Sequence, residues 1–104
     1  MTMLLPLIAS VFVSAQNPRY FEEDGKAWIP VGCNICFDRL YGEPGESRKV
    51  CEERYFARMR KFAANGGNFI RIWLGHPFFE VMPNRPGEYD AEASETVRKV
   101  VKLA

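Results

Sequence analysis

The chain has 104 residues, with 14 basic and 13 acidic side chains, and its formal net charge is +1. Charges of the two signs are interspersed, so the sequence lacks the basic surface of a nucleic-acid-binding protein, and partners of neutral or mixed charge are expected. Aromatic residues make up 13% of the sequence, which suits a packed core or a surface that stacks on sugar rings.

The chain begins with an apolar segment. Residues 3–13 are almost entirely apolar, and the small residues Ser14 and Ala15 follow where a signal peptidase would read its site. The segment is too short to cross a bilayer, which takes about 20 residues. We therefore predict a signal peptide over residues 1–15, a mature chain over residues 16–104 and a secreted, extracellular protein. The alternatives are a buried N-terminal strand and an uncleaved anchor.

A hairpin and a first long strand should follow. Two short segments rich in aromatic residues flank Asp24-Gly25, and this dipeptide is a strong signal for a two-residue turn. The second arm runs on through residues 30–34 as a mostly apolar strand, the composition expected when both faces of a sheet are covered. Pro30 should lie near its start, because proline donates no ladder hydrogen bond.

The next segment predicts an amphipathic helix capped by Ser47. Its apolar residues recur at steps of three and four and so share one face. They are Cys51, Tyr55, Met59, Phe62 and Ala63. The helix should end at residues 65–67, where glycine accepts the left-handed conformation that closes a helix.

Residues 68–74 are rich in β-branched and aromatic side chains and predict a buried strand. Alternation puts Ile70, Ile72 and Leu74 on the face that receives the helix, and it turns Arg71 to the opposite face. Residues 75–89 form a long loop with several prolines, of the kind that often carries function. A second helix should follow.

Asp90 is expected to cap that second helix. Its predicted apolar stripe consists of Ala93, Val97, Val100, Val101 and Ala104. Strand and helix then alternate twice with helix-length crossovers, which is typical of parallel βαβ units. Two strands cannot cover both helices, so more strands are expected.

The three cysteines leave two interpretations open, buried thiols or one structural disulfide between Cys36 and Cys51. Cys33 and Cys36 have the spacing of a redox pair, but the proline and glycine before them do not open a helix as that motif requires. A zinc site would need more ligands, and His76 is the only histidine. No metal and no cofactor are predicted.

At several short motifs the sequence resembles a known enzyme family. It looks like the N-terminal part of a secreted glycoside hydrolase of the cellulase and mannanase type, family five of clan A. The motifs are Asp24-Gly25-Lys26, Val31-Gly32-Cys33-Asn34, Asn65-Gly66-Gly67-Asn68-Phe69-Ile70-Arg71-Ile72-Trp73 and Pro86-Gly87-Glu88-Tyr89-Asp90. The resemblance covers residues 20–104.

This resemblance implies an α/β fold, a partial (β/α)8 TIM barrel. The N-terminal hairpin would be followed by the first two strand-helix units of a barrel that takes about 250 residues in full.

The same resemblance implies roles for three residues. Arg71, at the end of the second strand, would hydrogen-bond a catalytic nucleophile and keep it ionised. Trp73 and Asn34 would lie at the barrel mouth and contact sugar. The alternatives are a structural ion pair for Arg71, core packing for Trp73 and a turn-stabilising role for Asn34. His76 is interpreted as a loop residue.

The two catalytic glutamates of the family have no counterpart here. Retaining glycosidases place two carboxylic acids about 5 to 5.5 Å apart, and in this clan those acids follow the fourth and seventh strands. Glu80, Glu88 and Glu92 match neither motif and are interpreted as surface charge. No catalytic residue is therefore assigned beyond the supporting Arg71.

The leading hypothesis is a fragment of a retaining hydrolase of β-mannan or β-glucan, inactive alone. Its partner would be a polysaccharide or oligosaccharide, with no nucleic acid and no membrane after signal cleavage. The alternative is a small secreted carbohydrate-binding or interaction module that self-associates through its open sheet face. A nucleotide-binding doubly wound sheet is disfavoured, because no glycine-rich phosphate loop follows the first strand.

Overall fold

The computed structural model describes residues 11–104. They fall into two compact units, one ending at Pro30 and one spanning Val31–Ala104. Among the described residues no helix is long and apolar enough to cross a membrane.

The first unit is a three-stranded antiparallel sheet in the order β1–β2–β3. Its strands are Phe12–Val13 (β1), Phe21–Glu23 (β2) and Lys26–Trp28 (β3). Asp24 and Gly25 join β2 to β3 with φ of 50° and 73°, as a type I′ turn requires. The predicted hairpin is thus confirmed, and Phe21 and Trp28 pair across it with their rings edge to face at 6.1 Å.

The signal peptide predicted over residues 1–15 is only partly within the described chain, because residues 1–10 lie outside it. Phe12 and Val13 pair with β2, and the Ser14 N–H donates to the Tyr20 carbonyl at 2.8 Å. The Ser14 hydroxyl accepts from the N–H groups of Gln16 and Asn17 at 3.2 Å each. The residues around the predicted cleavage position therefore form a hydrogen-bonded turn, and the signal peptide stays a prediction.

The second unit contains two strands and two helices. In chain order they are Gly32–Asn34 (β4), Arg48–Ala64 (α1), Phe69–Arg71 (β5) and Ala91–Leu103 (α2). The strands pair in parallel, and α1 forms the crossover between them. Asn68 closes the start of the pair, because its carboxamide accepts from the Val31 N–H at 2.7 Å and its own N–H donates to the Val31 carbonyl at 2.9 Å.

The expected partial TIM barrel is wrong. The strands fall into two separate small sheets, and the parallel sheet has only two strands of three residues, which are too few elements for part of a barrel. The hairpin belongs to the antiparallel sheet rather than leading into a barrel. Apolar composition predicts that a strand forms, but it does not determine how many neighbours the strand pairs with.

The prediction that the first strand of the parallel pair is buried on both faces is also wrong. All three residues of β4 are exposed, and the flanking Ile29 and Val31 are 68% and 51% exposed. In β5 the alternation is confirmed at Ile70, which packs on the core with Ile72. Leu74, predicted on the same face, is 53% exposed because the strand ends at Arg71.

Helix α1 has the predicted beginning and end and most of the predicted face, although Phe62 is half-buried and Ala63 is exposed. The Ser47 hydroxyl accepts from the Val50 N–H at 3.3 Å. The helix buries Cys51, Tyr55 and Met59. At its end Gly66 has a φ of 87°, and the N–H groups of Gly66 and Gly67 donate to the Ala63 and Phe62 carbonyls at 3.0 Å. These paired bonds are the Schellman motif, which needs a left-handed residue that glycine adopts without strain.

Helix α2 begins as predicted, but its buried face is rotated. The Asp90 carboxylate accepts from the Ala93 N–H at 2.7 Å. Thr96 is fully buried, whereas Val101, expected on the stripe, is 68% exposed. The face runs through Ala93, Thr96 and Val100 because the Thr96 hydroxyl has polar partners inside the unit.

The core of the second unit draws on the long loop as well as on the helices. Phe78 and Phe79 are fully buried, and their ring centroids lie 5.6 and 5.2 Å from that of Tyr55. The sequence predicts a loop of the kind that often carries function over residues 75–89, and two of its residues belong to the core. A two-stranded sheet covers little of α1, so loop aromatics fill the space that further strands would occupy in a larger sheet.

Arg48, the first residue of α1, links this loop to α2. Its guanidinium donates to the Phe78 carbonyl at 2.9 Å, to the Thr96 hydroxyl at 3.0 Å and to the Tyr41 hydroxyl at 2.7 Å. It also lies 4.6 Å from the centroid of the Tyr41 ring, a cation–π distance. One side chain thus joins α1, the loop and α2.

The hydrogen-bond network continues between the helices. The Thr96 hydroxyl contacts a carboxylate oxygen of buried Glu52 at 2.7 Å, and the Lys99 ammonium donates to the other oxygen at 2.6 Å. The buried carboxylate is therefore both hydrogen-bonded and charge-paired, as a buried charge requires.

Replacing Arg48 with Met should lower the free energy of unfolding by about 3 kcal/mol, because the Phe78 carbonyl and the Thr96 hydroxyl lose a charged donor. Urea denaturation followed by circular dichroism measures the change. The matched control is Lys49→Met on the exposed side of the same turn, with a change below about 0.5 kcal/mol. Equal effects of the two substitutions would contradict a central role for Arg48.

Candidate functional site

The three residues singled out in the sequence lie together where the parallel strands end. Asn34 and Arg71 are register partners at the last positions of β4 and β5, so their side chains leave the same face of the sheet. Trp73 follows Arg71 by two residues, and its N–H donates to the Cys36 carbonyl at 3.0 Å. All three residues are exposed. The carboxyl ends of parallel strands are a common place for binding sites.

A surface groove lies at this position, and we call it the strand-end groove. It is lined by Asn34, Cys36, Phe37, Arg39, Arg58 and Trp73. Arg71 does not line it but stands next to Asn34 in the sheet. The groove therefore combines an amide, two aromatic rings and two guanidinium groups.

Two residues of the groove lining, Phe37 and Trp73, belong to a row of rings. The Phe37 centroid lies 5.9 Å from that of Trp73 and 3.7 Å from that of His76, with the His76 ring parallel to it. The Nδ1 atom of His76 accepts from the Phe78 N–H at 3.2 Å. His76 therefore ties the ring row to the core loop, a role that its interpretation as a plain loop residue missed.

Arg58, which lines the groove, lies beside a buried carboxylate. Asp38 is fully buried, and its carboxylate accepts from Arg54 at 3.0 Å and lies 3.6 Å from Arg58. Glu46 accepts from Arg54 at 2.5 Å. Hydrogen bonds with the Cys51 sulfur and with Asp38 raise the pKa of the Arg54 guanidinium above its usual value. Sequence reasoning missed this cluster because its members are scattered over the loop and α1.

Two further guanidinium groups stand at or next to the groove, those of Arg39 and Arg71. Within residues 11–104, Arg39 and Arg71 form no ion pair. The structural ion pair considered for Arg71 is therefore absent from the described chain. An exposed arginine without a partner is available to bind an anion.

Glu80, Glu88 and Glu92, considered above as possible catalytic acids, lie outside the groove lining. Glu88 pairs with Arg85, and Glu92 lies 3.6 Å from Arg48. Glu80 is close enough to His76 to act on its charge. Their interpretation as surface charge agrees with these positions for Glu88 and Glu92, which are exposed.

The cysteines are free thiols. Cys33 is exposed, Cys36 is half-buried in the groove and Cys51 is buried in the core. The suggested disulfide between Cys36 and Cys51 is not formed. Burial raises the pKa of the Cys51 thiol, which makes it a weak nucleophile. The described residues contain no cluster of three or more side chains suited to a metal ion.

Comparison with known proteins adds no relative. No protein-family model matches the chain, and neither a curated protein nor a solved structure is significantly similar to it.

His76 should make the stability of the protein depend on pH. Burial lowers its pKa below the ordinary value of 6.5, against a smaller opposing effect of Glu80. The folded state therefore binds fewer protons than the unfolded state between the two pKa values. The free energy of unfolding should fall as the pH drops below about 6.5 and level off once folded His76 is protonated.

Urea denaturation between pH 7.5 and 5.0 measures this dependence. His76 is the only histidine, so His76→Gln should remove the slope below pH 6.5. An unchanged slope in that variant would refute the assignment.

Proposed function

We propose that the chain binds β-linked polysaccharide at the strand-end groove and its neighbour Arg71, as the substrate-binding part of a secreted glycoside hydrolase. The observation that carries the proposal is the placement of Asn34, Arg71 and Trp73. These residues, which the motif resemblance names, lie on one exposed face with Asn34 and Arg71 in register.

The chemistry of the groove suits a sugar ring. Trp73 is 49% exposed, and its ring offers an apolar face to the C–H groups of a pyranose. The Asn34 carboxamide supplies donors and an acceptor for hydroxyl groups. An apolar surface with a few convergent polar groups is typical of small-molecule sites.

Arg71 would act on catalysis through a carboxylate. A guanidinium placed beside a carboxylate favours its ionised form and orients it by paired hydrogen bonds. The proposed nucleophile is a glutamate other than Glu80, Glu88 and Glu92, since these lie outside the groove lining. Arg71 is thus a positioning residue in this proposal, and no catalytic residue is assigned.

A second candidate is a carbohydrate-binding module without catalysis. It is favoured by the composition of the groove, whose lining side chains include no carboxylate. The two candidates share the binding face, so one set of oligosaccharides tests the binding that both require.

Trp73→Ala should weaken binding of cellohexaose or mannohexaose by about tenfold, because it removes a stacking surface worth on the order of 1.4 kcal/mol. Isothermal titration calorimetry on the full chain measures the affinity. Tyr89→Ala is the control, since Tyr89 is 70% exposed and lies away from the groove lining. Equal affinities of the two variants would argue against this groove as the sugar site.

Incubation of the full chain with β-mannan and β-glucan should release no reducing sugar, because the groove lining offers no pair of carboxylic acids. A reducing-end assay detects release. Turnover that Arg71→Lys leaves unchanged would contradict the role given to Arg71, and any turnover would exclude the purely binding module.

A further inference from the structure

The charge around the strand-end groove is unequal. Asp38 and Glu46 are both paired with Arg54, and Arg58, which lines the groove, also lies beside Asp38. Two carboxylates thus meet two guanidinium groups. This cluster is already neutral without the exposed arginines of the groove.

Arg39 and Arg71 add positive charge that no described acidic residue neutralises. Arg39 lines the groove, and Arg71 is the register partner of Asn34, which also lines it. Glu80 is the nearby acid on the side of the ring row, where it acts on His76 and pairs with neither arginine. A ligand in the groove would therefore meet the Arg39 guanidinium and the exposed Trp73 indole, with the Arg71 guanidinium next to the groove.

We infer that the strand-end groove takes a β-linked saccharide bearing anionic groups, carboxylate or sulfate, in preference to a neutral one. The inference rests on the proposed function and specifies its substrate class. Trp73 would stack on a sugar ring while Arg39 and Arg71 bind the anionic substituents. A guanidinium matches a carboxylate with two parallel hydrogen bonds, and it is less strongly hydrated than an ammonium group.

Because the chain as a whole is nearly neutral, the excess positive charge at the groove can be distinguished from an effect of the overall charge. With a formal net charge of +1, the molecule as a whole exerts little attraction on polyanions. A preference for an anionic saccharide should therefore come from the groove itself, and it should respond to the loss of one groove arginine.

Calorimetric titration of the full chain with three oligomers of equal length tests the inference. The probes are neutral cellohexaose, β-1,4-linked hexamannuronate and sulfated cellohexaose. We expect one or both acidic oligomers to bind about tenfold more tightly than cellohexaose in 50 mM salt, and the difference to shrink in 0.5 M salt because exposed charges are screened, with a Debye length of about 10 Å at 0.1 M. Comparison of the two acidic oligomers identifies carboxylate or sulfate as the preferred group.

Arg39→Gln should reduce the ratio of acidic to neutral affinity by about fivefold, since it removes one of the unpaired charges. The control is Arg60→Gln, which removes the same charge from an exposed position of α1 outside the groove lining and should leave the ratio unchanged. The salt dependence of the unaltered chain tests the inference independently of either variant.

Three results would overturn the inference. Equal affinity for neutral and acidic oligomers would remove it and leave the proposed function standing. Binding of oligodeoxythymidylate as tight as that of the acidic saccharides would show a general polyanion surface. No binding of any oligosaccharide would contradict the proposed function, and the inference would fall with it.

Discussion

The guanidinium of Arg48 is the contact on which the second unit depends. It stands at the start of α1 and bonds a loop carbonyl, a hydroxyl of α2 and the phenol of Tyr41. In the described part of the chain, no other charged side chain bonds to this loop and to both helices. A two-stranded sheet covers little of the helices. Polar contacts between α1, α2 and the loop therefore provide part of the stability that a larger sheet would provide.

Local chemistry made much of the second unit predictable. Ser47 and Asp90 cap the two helices as expected, and residues 65–67 close α1 through a left-handed glycine. The Asp24-Gly25 turn forms for the same reason, because its conformation is set by the two residues themselves. These features depend on neighbours in the chain and so can be derived from the sequence.

Long-range partners were not predictable in the same way. Nothing near Phe78 and Phe79 in sequence shows that α1 will pack on them, and Arg48 looks like any other basic residue on a helix. The length of the strands and the number of their neighbours were also not predicted. An apolar segment such as residues 29–34 has the same composition whether it joins a large sheet or stays exposed. At the site, strand alternation predicted that Arg71 lies opposite the helix face. The stacking of His76 on Phe37 was not predictable, because the two residues are 39 positions apart in the sequence.

The hydrogen bonds between Asn68 and Val31 determine the register of the two parallel strands as well as the point at which they begin. They fix the register of β4 against β5 together with Gly32, where a Cβ atom would lie 2.3 Å from the Phe69 ring and 2.7 Å from its carbonyl oxygen. A slip of one residue would turn Arg71 from the groove side to the helix side of the sheet. Which side chains stand at the groove is thus determined by a carboxamide and a missing side chain, neither of which lines it.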